Sequence, residues 1–210
     1  MTNAEITGPN FLYACTLNGH GGSALLDQHS ISQWSSDAGT LWVHLDVNDE
    51  ASRAWLHNES GLEPVIVDVL LADETRPRSF STDQGLLVVL RGVNTNPGAN
   101  AEDMVSIRVW IEKNRIISTR RRRLLSIIDI QETLKEGIGP KSPGGFLSSL
   151  VARLADRVGD FIDDIEERVG EAEAMMATQD HTQFRQMVST LRQQIASVRR
   201  FLAPQRDALD

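Results

Sequence analysis

From Leu147 onward an apolar residue returns every three or four positions: Leu147, Val151, Leu154, Val158, Phe161 and Ile165 step by 4, 3, 4, 3 and 4. A stripe of that period is the mark of a long amphipathic helix. It continues through Val169, Ala172 and Met176 after one extra step of four. "ATQDH" then reads as a turn, and Phe184, Val188, Leu191, Ile195, Val198 and Leu202 repeat the pattern. The first helix spans about 45 Å at 1.5 Å per residue. The short turn makes an antiparallel helical hairpin the natural geometry.

The charges of the two helices are complementary. Between 151 and 180 the acids Asp156, Asp160, Asp163, Asp164, Glu166, Glu167, Glu171, Glu173 and Asp180 face only three arginines, whereas five arginines dominate 181–210. The two helices are therefore expected to pair through these charges.

Upstream of "GIGPKSPGG" (137–145) the texture differs. "FLYACTL" and "SALL" flank "NGHGG" and read as a hairpin; "TLWVHLDV", "GLLVVLRGV", "MVSIRVWIEK" and "RIISTR" read as strands, the last two joined by a turn at Lys113-Asn114. "DEASRAWLHNES" is a short helix opened by Asp49, "EPVIVDVLLA" a helix with Pro64 in its first turn, and "LLSIIDIQETLKEG" a helix ending at Gly137. The expected fold is α/β: a mixed β-sheet layered with helices over 1–140, followed by a long antiparallel helical hairpin over 141–210.

Composition excludes several functions. With 29 acidic and 21 basic residues the net charge is -8, which disfavours a general nucleic-acid binder. Cys15 is the only cysteine, so no intrachain disulfide forms, which suits a reducing compartment. "MTNAEITGPNF" has neither a basic n-region nor an apolar h-region. "LLVVL" at 86–90 falls far short of the roughly 20 residues that span a bilayer. No nucleophile elbow, phosphate loop or zinc-protease helix is present, so no enzyme activity is expected. His20, His29, His44, His57 and His181 are scattered; His44 and Asp46 share a strand face, and a structural role is expected there.

Two clusters carry chemistry. Asp160, Asp164, Glu167 and Glu171 recur at four- and three-residue spacing and form a carboxylate ridge, suited to diffuse attraction of divalent cations rather than to a tight site. Arg120, Arg121, Arg122 and Arg123 follow "RIIST". Strand alternation puts Arg120 and Arg122 on one face and Arg121 and Arg123 on the other, which argues against a flat nucleic-acid patch and for carboxylate partners or a bound anion.

"LWVHLDVNDEASRAWL", "LLADETRPR", "GLLVVLRGVN", "IRVWIEKNRIISTRRRRLL" and "LRQQIASVRRFLAPQRDAL" occur in an order that resembles the CorA-type metal-ion transporters, most closely their zinc-transporting ZntB branch. The resemblance covers most of the chain from about residue 40. It implies the cytoplasmic, funnel-forming or regulatory domain of a homopentamer at the bacterial inner membrane. Zinc, with magnesium or cobalt as alternatives, would be the cargo, and no tightly bound cofactor is implied. The family's pore signature and membrane helices lack counterparts in this sequence, so a soluble piece ending before the pore is expected, with membrane contact only through those helices. The alternative is a scaffold or dimerising protein that uses the hairpin as its interaction surface.

Overall fold

In the computed structural model, residues 11–73, 75–176 and 181–210 are described. The N-terminal residues 1–10, and the "ATQDH" turn up to residue 180, lie outside them. Strand residues alternate faces, and here both faces are covered, so the strands are apolar nearly throughout. The strands β1 (Phe11–Leu17), β2 (Ser23–Leu25), β3 (Thr40–Asp46), β4 (Arg78–Ser81), β5 (Leu86–Gly92), β6 (Val105–Ile111) and β7 (Arg115–Arg120) form one sheet of order β2-β1-β3-β7-β6-β5-β4. Only β3 and β7 pair in parallel, so the sheet is mixed, as expected. The β1–β2 turn is held by Asn18 Oδ1, which accepts from the His20 and Gly22 amides at 2.8 and 3.0 Å.

Helices α1 (Gln28–Ser32), α2 (Glu50–Asn58) and α3 (Pro64–Leu71) precede β4; α4 (Leu125–Lys135), α5 (Pro143–Met176) and α6 (His181–Asp207) follow β7. Asp49 caps α2 by accepting from Ser52 N at 2.8 Å, and Pro64 sits in the first turn of α3. Two elements have weak sequence signals. "RSFS" of β4 has one apolar residue, and α1 is five residues long.

The two faces make separate cores. On one, Leu41, Val43, Leu45, Ile117 and Trp110 pack with Trp55, Leu56, Ile66, Val67 and Leu70 of α2 and α3. On the other, Trp42, Val88, Leu90, Ile107, Val109 and Ile116 pack with Ile127, Ile130 and Leu134 of α4 and with Phe146, Leu150 and Leu154 of α5. Trp42 lies 4.7 Å from the Phe146 ring. Gly92 ends β5 where α5 crosses: a Cβ there would meet Leu154 Cδ2 at 2.6 Å and Leu124 Cδ1 at 2.8 Å.

Beyond Leu154, α5 packs against α6 in a third cluster that joins Phe161, Ile165 and Ala172 to Leu191, Val198 and Phe201, with Val93 and Met104 from the β5–β6 connection. At its far end α6 returns to the sheet. The buried Gln205 accepts from the Arg91 backbone amide through Oε1 at 2.6 Å.

Candidate functional site

Strand β7 ends at Arg120, so the alternation expected along the arginine run fails after its first member. Nothing local in four identical residues marks a strand end; the chain bends at Arg121 and Arg122 to reach α4. Arg120 stays in register with Asp46, half-buried, and burial lowers its pKa despite the pull of Asp46. Arg121 turns to the opposite face, where its guanidinium pairs with Asp73 at 2.5 Å and donates to Leu71 O at 2.8 Å. The side chains of Arg122 and Arg123 are exposed. The expected carboxylate partner is thus found for Arg121.

Arg121 belongs to a larger device. A helix leaves its last carbonyls unpaired and carries partial negative charge there. At the end of α3, Thr119 Oγ1 donates to Leu70 O at 2.8 Å, Arg121 to Leu71 O, and Arg108 Nη2 to Ala72 O at 2.5 Å and to Asp73 O at 3.3 Å. Arg91 Nε and Nη2 both donate to Thr75 O, at 3.2 and 2.9 Å. Side chains from β5, β6 and β7 therefore complete the helix terminus and the segment that follows it. Arg91 and Arg108 were not among the expected site residues. Their one sequence signal is a charge inside an otherwise apolar strand, in "LLVVLRG" and "VSIRVWI".

Arg108 is fully buried, and its Nε and Nη1 have no hydrogen-bond partner among the described residues. Burial, then the neighbouring Arg121 and Arg91, push its pKa down to about 10. Beside this cluster opens a cavity of about 360 Å³ lined by Asp73, Arg91, Glu102, Arg121, Arg122 and Arg200, among others. The Phe201 ring at its edge lies 4.0 Å from the Arg91 guanidinium and 4.6 Å from that of Arg200.

The carboxylate ridge lies elsewhere. Asp160, Asp164, Glu167 and Glu171 are all exposed on α5, and Asp164 meets Arg168 at 3.7 Å. Among the described residues no ion pair joins α5 to α6, contrary to the expected charge pairing; the cross-link is Arg168 Nη1 donating to Gln194 Oε1 at 2.7 Å. Most of each apolar stripe occupies the seam, with Val169 and Ile195 left exposed, and the carboxylate ridge points outward. Among the described residues no three His, Cys, Asp or Glu side chains are grouped as a metal cage.

His44 is buried, its Nδ1 2.9 Å from Ser118 Oγ, which also accepts from Trp42 Nε1 at 2.9 Å. Burial, reinforced by Arg120, pushes its pKa down to about 3, so the ring is neutral at pH 7.

A mixed seven-stranded sheet with helices on both faces is thus extended by a charge-laden helical hairpin. The chain belongs to the CorA-like Mg2+ transporter family, whose model matches residues 37–210. The divalent cation transporter CmaX of Pseudomonas aeruginosa is 39% identical over 203 residues, covering 93% of this chain and 60% of that protein. The zinc transport protein ZntB of Yersinia enterocolitica is 33% identical over 196 residues, covering 93% of this chain and 59% of that protein. The solved cytoplasmic domain of ZntB from Vibrio parahaemolyticus superposes with a TM-score of 0.79 at 26% identity, covering 96% of this chain and 78% of that one. The chain thus spans about three fifths of the length of the curated relatives it matches. No helix among the described residues is long and apolar enough to cross a membrane.

Proposed function

We propose that this chain is the cytoplasmic, cation-facing part of a divalent-cation transporter at the bacterial inner membrane, with zinc as the principal cargo. The observation that carries this reading is the ridge of Asp160, Asp164, Glu167 and Glu171, exposed and, among the described residues, without an α6 cation partner. Carboxylates so displayed raise the local concentration of divalent cations without a dedicated cage. The ZntB relatives support zinc over magnesium or cobalt. The outer faces of the hairpin support self-association into a homopentamer. Ile162, Val169 and Ile195 are exposed there, and the acids of α5 complement Arg185, Arg192 and Arg199 of α6 in a neighbouring copy.

Calorimetric titration of zinc and of magnesium at low ionic strength tests the ridge. Wild type is expected to take up zinc weakly and in a salt-sensitive manner, and the D160N/D164N/E167Q/E171Q variant to lose most of that uptake. Identical isotherms would reduce the ridge to a solvated face.

A further inference from the structure

The cavity at the end of α3 has two walls of different origin. Arg122 comes from the link between β7 and α4, Arg200 from α6, and both line the same space of about 360 Å³. Neither guanidinium has a carboxylate partner among the described residues. Of the carboxylates that line the cavity, Asp73 is matched to Arg121, and Glu102 accepts from Gln194 Nε2 at 3.2 Å. Two residues along β6 from the lining Ser106 and on the same sheet face lies the fully buried Arg108, with two donor nitrogens unmatched among the described residues. Among the described residues, four guanidiniums line the space, Arg91, Arg121, Arg122 and Arg200, together with the carboxylates of Asp73, Glu102 and Asp103, and Arg108 lies below. Arginines therefore gather around one pocket of a chain whose net charge is -8.

We propose that this cavity binds a phosphate-class oxyanion between Arg122 and Arg200, and that the bound anion ties α6 to the end of the sheet. The guanidinium fork offers paired N–H donors that match the spacing of phosphate oxygens, and two forks lining one cavity suit a tetrahedral anion better than a spherical one. The cavity exceeds the size of inorganic phosphate, so a phosphate monoester such as a nucleotide fits the same chemistry. Arg121 and Arg91 are already engaged by backbone carbonyls, which fixes them as a positive field rather than as the grasping groups. Extended nucleic acid does not fit, because the cations line a pocket instead of a stripe. Seated there, the anion bridges α6 to the turn after β7, and so couples the position of the hairpin to ligand concentration.

The test is isothermal titration of the 210-residue protein with inorganic phosphate, with adenosine monophosphate and with chloride, all at one ionic strength. Phosphate or the nucleotide is expected to bind saturably and chloride not. Tighter binding of the nucleotide identifies a monoester ligand, and equal or weaker binding identifies the free anion. R122Q and R200Q are each expected to weaken binding by about tenfold. R199Q, one residue away on an exposed turn of α6, leaves it unchanged. Hydrogen exchange of the amides around Arg200 is expected to slow when the anion is bound. Chloride matching phosphate, R199Q weakening binding as much as R200Q, or R122Q/R200Q keeping wild-type affinity would each overturn the proposal. Because zinc uptake by the α5 ridge is measured separately, failure here leaves the transporter reading standing.

Discussion

The two halves of α5 are held in different ways. Phe146, Leu150 and Leu154 are at most 1% exposed, locked between the sheet and α4, whereas Phe161 and Ile165 keep 7% and 8% exposure along a single seam with α6. The same helix is thus a core element at one end and half of a two-helix zipper at the other. Burial from several sides leaves a truncated side chain no room to collapse, and a one-sided seam relaxes more easily.

That contrast breaks most sharply under large-to-small substitution. Phe146→Ala is expected to cost about 3–5 kcal/mol in urea unfolding, and Leu191→Ala about 2–3 kcal/mol because α6 can shift toward the gap. Equal losses would mean that the zipper is packed as rigidly as the sheet. A second difference is pH sensitivity. Burial, with Arg120 nearby, pushes the His44 pKa down to about 3 from the 6.5 of a solvated imidazole. Between those values the unfolded chain binds the extra proton, so the neutral ring's stabilisation is complete above about pH 6.5 and is lost as pH falls toward 3. The slope approaches about 1.4 kcal/mol per pH unit. H44Q is expected to flatten that dependence in denaturation curves at pH 4–7. The smallest effect belongs to the ridge. D160N/D164N/E167Q/E171Q is expected to change stability by no more than about 0.5 kcal/mol in the absence of zinc, since exposed charges contribute little. A larger loss would show that the ridge is structural.

Much of this arrangement was legible in the residues. The helices α5 and α6 and most of their buried stripes follow from periodicity, although Val169 and Ile195 are exposed, as do β3, β5, β6 and β7, because their side chains are set by local repeat. The caps Asp49 and Pro64 also act locally. What escaped was non-local. Arg91 and Arg108 are explained only when residues 70–75 arrive beside three strands, and a charge within an apolar strand does not announce which carbonyls it will meet. The end of β7 inside the arginine run is equally silent, since strand and bend there share the same residue type. Strand β4 forms because β5 offers an edge, while its own sequence is largely polar. The outward turn of the α5 and α6 charges follows from which stripe wins the seam, a competition that residue counts do not resolve.

Gln205 clasps the backbone of β5 near one end of the hairpin, and Leu154 is the last residue of α5 in the sheet's core. From Leu154 to Met176 the helix rises about 33 Å at 1.5 Å per residue. A tilt of about 5° at that root, the scale of ordinary helix rearrangements, would swing the far end by about 3 Å. The hairpin is in this sense a pointer with its pivot in the α/β layer, where changes too small to disturb the core are magnified into displacements wide enough to be felt by a neighbour.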